Sequence, residues 1–406
     1  MPANHPAAVP VARAPVPRTG RSSALEILLV FLRLGCTCFG GPIAHLGYFR
    51  AEFVERRRWL DEASYADLVA LAQFLPGPAS SQTGFAIGLT RGGILGGLAA
   101  WTGFTLPSAA LLFLFALGAG SIAGSAIGAG VLHGLKLVAV AIVSQAVLGM
   151  ARSLCPDRNR ASIAAAAIFV LLAAPGSLGQ VGAIILGGLA GLALCREQLG
   201  QAPPPLAMPV SRAAAAACLL LFFVLLAVSL VPGQAGLPGL ASAFYRSGAL
   251  VFGGGHVVLP LLRDAVVAPG WVSDSAFLTG YGAAQAVPGP LFTFSAYLGT
   301  IASGFGGAVV ALIAIFLPGI LALLGTLPFW HALRTRPDAQ AAMRGINAAV
   351  VGILGSALYD PVWTSAVLTP TDFAIAATGF VLLVAWRASP LVVVTLSALA
   401  GAALAM

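Results

Sequence analysis

The chain has 406 residues, of which 59% are hydrophobic and only 8% are charged, and its formal net charge is +8. Soluble globular proteins carry about 25% charged residues, so this composition excludes a soluble enzyme and indicates a polytopic membrane protein. Long helical apolar runs argue against a transmembrane β-barrel. We expect the excess of basic residues in cytoplasmic loops, so no nucleic-acid partner is predicted.

In chain order, residues 1–23 are rich in Pro, Ala and Arg and are predicted to form a disordered cytoplasmic tail. The apolar run that follows lacks a convincing cleavage site, so we expect it to be retained. Residues 24–197 form a first half and residues 241–406 a second half. Between them, residues 198–240 provide a Pro-rich linker with one extra apolar span, 213–231.

An internal duplication relates the two halves. Phe39-Gly-Gly41 matches Phe252-Gly-Gly254 at an offset of 213 residues, and Pro76-Gly-Pro78 matches Pro288-Gly-Pro290 at an offset of 212. Further along, matching positions are 211 residues apart. Because the offset drifts by only two residues, we interpret the halves as homologous repeats.

The arginines are distributed differently in the two repeats. Residues 50–62 contain four arginines, whereas the equivalent stretch 263–274 contains one. Residues 120–133 contain none, whereas residues 334–344 contain three. The positive-inside rule therefore predicts that the repeats are inverted relative to each other. The single span 213–231 permits this inversion if each repeat crosses the membrane an even number of times.

Each repeat contains two positions where a helix should break. Proline removes a backbone donor and clashes with the preceding turn, so the two Pro-Gly-Pro motifs should end one helix and begin another. The two Phe-Gly-Gly motifs supply the other breaks. We favour two re-entrant hairpins per repeat, since arms of about 13–16 residues are shorter than the ~30 Å hydrocarbon core. The alternative is broken helices that cross fully, giving about thirteen spans.

These breaks are typical of an anion site, because free amides at helix N-termini carry partial positive charge. A cation pathway would require carboxylates, yet Asp67 is nearly alone among the apolar segments. Arg33 and Arg246 each lie six residues before Phe-Gly-Gly and suit either an anion or a backbone carbonyl. His45 and His256 lie near the glycine breaks at unmatched positions, and His256 suits either proton coupling or a structural hydrogen bond.

The predicted substrate-binding residues of the first repeat are Arg33, Phe39, Gly40, Gly41, Gln73, Pro76, Gly77, Pro78, Ser80, Ser81, Gln82 and Thr83. Those of the second repeat are Arg246, Gly253, Gly254, His256, Gln285, Pro288, Gly289, Pro290 and Thr293. The hydroxyl groups among them are also suited to cap the restarted helix. Hydrolytic and metal-binding motifs are absent from the sequence, so we predict no enzyme activity, no cofactor and no metal.

Together these motifs resemble the chromate ion transporter family of the long, two-domain type. The family hallmarks are Phe-Gly-Gly or Gly-Gly-Pro, a Trp after a charged loop, and Pro-Gly-Pro. In this sequence they read Phe39-Gly-Gly-Pro42, Trp59 and Pro76-Gly-Pro78, then Phe252-Gly-Gly254, Trp271 and Pro288-Gly-Pro290. The repeats differ after Pro-Gly-Pro, where Ser80-Ser81-Gln82-Thr83 is replaced by Phe292-Thr293-Phe294-Ser295. We therefore expect more of the polar site in the first repeat.

The resemblance implies an all-α secondary transporter that exports chromate, a sulfate-like oxyanion, across the bacterial inner membrane by alternating access. The implied partners are a small oxyanion (chromate or sulfate) and the lipid bilayer. One alternative is a transporter of sulfate or another oxyanion that takes chromate adventitiously. Another is a non-transporting membrane scaffold or an intramembrane enzyme. The sequence leaves open the driving force and whether the protein is a homo-oligomer.

Overall fold

The computed structural model describes residues 22–123, 125–196, 210–231, 235–252 and 255–405, which are helical and contain no strand. The helices of the first repeat are α1 (Ala24–Thr37), α2 (Gly41–Arg50), α3 (Glu62–Phe74), α4 (Ala79–Ala123), α5 (Ala126–Leu154), α6 (Arg158–Ala173) and α7 (Ser177–Leu194). The connecting helix is α8 (Arg212–Ser229). The helices of the second repeat are α9 (Gly236–Ala249), α10 (Val258–Val266), α11 (Asp274–Ala284), α12 (Phe294–Thr326), α13 (Trp330–Arg334), α14 (Pro337–Ala357), α15 (Thr364–Ala366), α16 (Pro370–Val384) and α17 (Pro390–Leu404).

Short 3-10 segments precede α10 (Gly255–Val257) and α12 (Leu291–Thr293). Most of the predicted tail 1–23 and the linker residues 198–209 lie outside the described residues. The predicted extra span corresponds to α8, of which only 17% of the residues are buried. Such a helix suits a position facing lipid.

Polar residues define where many helices begin. The Ser23 side chain accepts from the Glu26 amide at the start of α1, and Asp61 accepts from Ser64 at the start of α3. At α16, Thr369 and Asp372 form a reciprocal capping box. These caps satisfy backbone donors that have no partner in the first turn.

Glycines with positive φ mark the positions where helices end or reverse. Gly40 (φ 98°) and Gly77 (φ 114°) lie between α1 and α2 and between α3 and α4, respectively. Inside α4 the backbone is non-helical at Gly92 and Gly93, and a Cβ on Gly88 would lie 2.3 Å from the Gly96 carbonyl oxygen. The two arms of α4 are therefore antiparallel neighbours. Its second arm, 94–123, is about 45 Å long at 1.5 Å per residue.

Helices α1 and α2 form a first hairpin, and α3 with the first arm of α4 forms a second. Both hairpins begin and end on one face of the molecule. The Ser22 amide donates to the Arg91 carbonyl over 3.1 Å, so the start of α1 contacts the end of the first arm of α4. Arg57 lies 3.4 Å from Glu26, and the guanidinium groups of Arg57 and Arg91 lie over the Trp59 ring. We call this the arginine-rich face.

The second repeat runs in the opposite direction. Lys136, about three turns into α5, lies beside the start of α11, where its side chain is 3.4 Å from that of Ser275. The long second arm of α4 places this contact on the face opposite to the arginine-rich face. The start of α14, which is the repeat of α5, instead lies on the arginine-rich face, where Arg334 pairs with Asp67 near the start of α3. These contacts are the ones expected if the two repeats are inverted relative to each other, as the arginine distribution predicts.

The repeats also exchange their last helices. Helices α6 and α7 pack on α14 of the second repeat, whereas α16 and α17 pack on α5 of the first. A Cβ on Gly134 would lie 2.1 Å from the Ser397 carbonyl oxygen, and one on Gly345 would lie 2.0 Å from the Gly187 carbonyl oxygen. These close approaches are typical of small-residue packing between membrane helices.

By length and composition, five helical segments of the described chain are able to cross a membrane. They are 79–119, 126–154, 212–229, 291–334 and 337–366, and three shorter apolar helices cover 178–194, 370–384 and 390–404. The chain is an all-α polytopic membrane protein, as its composition predicts.

Candidate functional site

The Pro-Gly-Pro loop of each repeat binds the Phe-Gly-Gly segment of the other. The Gly77 amide donates to the Val251 carbonyl over 2.8 Å, and the Gly289 amide donates to the Cys38 carbonyl over 2.9 Å. These two hydrogen bonds occupy equivalent positions in the two repeats. The loops therefore meet at the centre of the interface between the repeats. Gly253 and Gly254 themselves lie outside the described residues.

Each Pro-Gly-Pro loop also packs on a proline-containing helix of the other repeat. A Cβ on Gly77 would lie 3.0 Å from the Gly319 Cα, and one on Gly289 would lie 2.8 Å from the Ser108 Oγ. Gly319 and Ser108 each follow the proline inside α12 and α4, respectively. Positive φ and close approach together explain why glycine occupies the middle of both loops.

Gln82 links the first Pro-Gly-Pro loop to the second repeat. Its Nε2 donates to the Pro76 carbonyl and to the Gly319 carbonyl, each over 2.9 Å. Two carbonyl partners fix the orientation of the amide, because only its nitrogen can donate to both. The Gln82 Oε1 atom is buried without a partner.

Four helical segments begin at these loops. The first backbone bond of α4 runs from Gln82 to Pro78, so the three preceding amides have no partner inside the helix. The 3-10 segment at Leu291 begins in the same way after Pro290. At the two Phe-Gly-Gly breaks, a Cβ on Gly255 would lie 3.2 Å from Pro42, so these segments also begin side by side. Converging N-termini give the centre a partial positive charge.

Buried polar side chains surround the first of these starts. Ser80, Ser81, Gln82 and Thr83 are all at most 5% exposed, as is His45 at 1%. The His45 Nδ1 lies 3.5 Å from the Ser80 Oγ, whereas the His45 Nε2 and the Ser81 Oγ have no hydrogen-bond partner. Thr83 donates to the Ala79 carbonyl over 2.8 Å. Unsatisfied buried polar atoms are costly, so these atoms are available to bind a ligand or water.

The equivalent region of the second repeat is mostly aromatic. Phe292 and Phe294 are buried where the first repeat has Ser80 and Gln82. Thr293 donates to the Pro290 carbonyl over 2.7 Å, and the Ser295 Oγ is buried without a partner. Among the described residues, buried polar side chains next to the Pro-Gly-Pro loops are therefore more numerous in the first repeat.

Residues 25–192 and 239–402 match the Chromate transporter family. The chain belongs to the chromate transporter family. It is 30% identical over 378 residues to a chromate transport protein of Pseudomonas aeruginosa, covering 92% of this chain and 90% of the relative. It is 29% identical over 343 residues to a probable chromate transport protein of Synechococcus elongatus, covering 83% and 84%. No solved structure matches.

In this chromate transporter family member, the two predicted arginines do not contact the loops. The Arg33 side chain is exposed on the same stripe of α1 as Leu25 and Leu29 and makes no hydrogen bond or ion pair with a described residue. Arg246 donates from Nη1 to the Ser229 carbonyl over 2.9 Å, which anchors the end of α8.

The remaining predicted residues divide between the loops and their surroundings. Gln73 is exposed at the end of α3, whereas its repeat equivalent Gln285 is partly buried and its Nε2 has no partner. The His256 Nδ1 lies 2.6 Å from the Tyr281 hydroxyl, an arrangement that suits the structural alternative for this histidine. Phe39 is partly buried, and Gly40 is exposed. Among the described residues, no group of three or more His, Cys, Asp or Glu side chains is suited to hold a metal.

Sequence reasoning missed one buried charged cluster. Asp67 on α3 accepts from the Trp330 Nε1 over 2.9 Å and from Arg334, and the Arg334 Nη2 lies 3.0 Å from the His331 Nδ1. Asp67 is visible in the sequence as an acid in an apolar segment, but Arg334 reads as a loop arginine. The two are 267 positions apart, so no local pattern connects them.

Proposed function

We propose that this protein exports chromate from the cytoplasm across the bacterial inner membrane, and that the oxyanion binds where the four loops meet. Membership of the chromate transporter family supports this cargo, as do relatives described as chromate transport proteins. The observation that carries the proposal is the convergence of helix starts from both repeats on buried polar atoms that have no protein partner.

The chemistry of chromate suits this centre. Chromate is a tetrahedral dianion, and backbone amides at helix N-termini bind such anions by geometry and partial charge. The amides preceding Gln82 and the Ser81 hydroxyl supply donors from the first repeat. Of the predicted substrate-binding residues, the two Pro-Gly-Pro loops and Ser80, Ser81, Gln82, Thr83 and Thr293 are the proposed lining. In this proposal Arg33 adds long-range charge from the helix that leads into the first Phe-Gly-Gly loop.

Orientation follows from charge. The arginine-rich face should be cytoplasmic under the positive-inside rule. The first two hairpins begin and end on that face, and α1 and α3 have 14 and 13 residues, respectively. Arms of about 20 Å are shorter than the ~30 Å hydrocarbon core, which supports re-entrant hairpins over about thirteen full crossings.

Inverted repeats suit alternating access, in which the two halves rock about a central site. The contacts that close the two faces are unequal. On the arginine-rich face the repeats are joined by the buried pair of Asp67 and Arg334. On the opposite face, Lys136 and Ser275 are joined by a contact of 3.4 Å. Rocking would break one set of contacts while the other forms.

Flux measurements test this function. Purified protein in proteoliposomes should transport labelled chromate, and inside-out membrane vesicles should accumulate it, with pH and membrane potential varied to identify the driving force. Ser81→Ala should reduce the flux, because it removes a proposed donor to the anion. The Ser81 hydroxyl has no protein partner, so its loss breaks no hydrogen bond within the protein. Ser153→Ala, at an exposed hydroxyl near the end of α5, is the matched control. A flux of sulfate alone would identify the alternative cargo, and no anion flux would favour a scaffold.

A further inference from the structure

The buried cluster on the arginine-rich face has a donor side and an acceptor side. The donors, Trp330 Nε1 and the Arg334 guanidinium, both come from α13 of the second repeat and converge on one oxygen of Asp67. The acceptor comes from α3 of the first repeat. If the repeats separate on this face, the two donors stay together while the carboxylate leaves.

Such a donor pair suits an oxyanion as well as a carboxylate. A guanidinium group presents a planar set of N–H donors that matches the oxygens of carboxylates and tetrahedral oxyanions alike. Asp67 and Arg334 are 6% and 9% exposed, respectively. Burying an ion pair costs desolvation that the pairing often fails to recover, so the pair is poorly explained by stability alone.

The residues of the cluster are not repeated at the equivalent positions of the other repeat. The repeat equivalent of Asp67 is Thr279, which is neutral and buried at 3% exposure. At an offset of 211 residues, Trp330 and Arg334 correspond to Ala119 and Ala123. Because the duplication did not supply these charges to both faces, they serve a step that occurs on the arginine-rich face alone.

We propose that Arg334 and Trp330 form a second oxyanion subsite on the arginine-rich face, in which the Asp67 carboxylate takes the place of the anion until cargo displaces it. The identity of that anion as the transported oxyanion rests on the proposed function. The subsite lies near the surface of the protein, because the neighbouring His331 is exposed. An anion arriving from that side meets Arg334 before it reaches the central loops.

Displacement of Asp67 would act directly on the central site. Asp67 lies ten residues before Gly77 (67 to 77), on the helix that ends at the first Pro-Gly-Pro loop. Arg334 follows α12, which contributes the Gly319 carbonyl to Gln82. The carboxylate therefore lies on one helix that leads into this loop, and its donors lie on α13, just after the helix that supplies the other contact. An anion on Arg334 would release α3 from α13 and free the Gly77 loop to move.

Thermal unfolding of the purified full-length protein tests the subsite without requiring transport. The midpoint is measured during titration with sodium chromate, and sodium chloride at equal ionic strength serves as the reference. Asp67→Ala removes the competing carboxylate, so we expect half-saturation at a chromate concentration about tenfold lower than in the wild type. Asp67→Asn, which preserves size, should shift the concentration in the same direction by less.

Two further variants isolate the contribution of Arg334. Asp67→Ala combined with Arg334→Gln should lose the added chromate response and retain only that of the central loops. Glu62→Gln, on the same helix and at an exposed residue paired with Arg50, should respond like the wild type. A wild-type chromate response in Asp67→Ala would overturn the subsite, as would a gain that persists in the double variant. Absence of chromate flux in proteoliposomes that contain the wild-type protein would instead count against the proposed function.

Discussion

Replacing Gly77 with alanine tests the geometry of the central loops most directly. Gly77 has a φ of 114°, in the region that residues with a Cβ rarely adopt. That conformation costs roughly 1–2 kcal/mol for a residue with a side chain. The new Cβ would also lie 3.0 Å from the Gly319 Cα, a backbone atom that has no rotamer to change. Overpacking of this kind costs about 1–3 kcal/mol.

The combined penalty of ~2–5 kcal/mol acts on the arrangement in which the Gly77 amide bonds the Val251 carbonyl. Because ~1.4 kcal/mol corresponds to a factor of about ten in an equilibrium, that arrangement should become roughly 30-fold or more less populated. A typical protein has about 5–15 kcal/mol of stability, so the variant should still fold. Transport should fall by at least about tenfold.

The assay is chromate accumulation in inside-out vesicles, normalised to the amount of transporter in the membrane, with the unfolding midpoint measured in parallel. Gly149→Ala is the matched control, because a Cβ at that position meets nothing within 4 Å and its φ is not positive. Wild-type flux in Gly77→Ala, at wild-type abundance, would refute the assignment of this loop to the transport site.

Three further predictions use other parts of the chain. Gly289→Ala should also impair chromate flux, because the new Cβ would lie 2.8 Å from the Ser108 Oγ. Adding Ser108→Ala should recover part of the flux, and no recovery would mean that backbone strain dominates. Arg33→Ala should lower the chromate resistance of cells while the protein remains in the membrane, because it removes the long-range charge proposed above, and wild-type resistance would remove Arg33 from the proposed site. Single cysteines replacing Arg56 and Arg336 should react with an impermeant thiol reagent from the same side of the membrane, and labelling from opposite sides would contradict the inverted arrangement.

The duplication could be predicted, and an inversion inferred, because two local features of the sequence relate the halves. Motifs such as Pro76-Gly-Pro78 and Pro288-Gly-Pro290 keep an almost constant offset, and the arginines of 50–62 and 334–344 alternate between the repeats. Both features depend only on residue type and position. The greater polarity of the first Pro-Gly-Pro region could also be predicted, since Ser80 and Gln82 correspond to phenylalanines in the second repeat.

Features that depend on how helices face one another could not be predicted. The direction of Arg33 is set by which stripe of α1 packs on α4, and the sequence alone does not fix that stripe. Gly134 predicts that another helix packs closely on α5, but it does not predict that the neighbouring residue is Ser397 of the other repeat. The pairing of Asp67 with Arg334 requires knowing that α3 and α13 meet on one face.

The exchange of terminal helices has a consequence for biosynthesis. Helices α6 and α7 pack mainly on α14, which the ribosome makes after the linker and more than half of the second repeat. A nascent chain therefore holds an incomplete first half in the membrane for much of its synthesis. A transporter truncated before α14 would expose glycine-lined helices that are free to pair with another copy, so quality-control proteases should remove such fragments quickly.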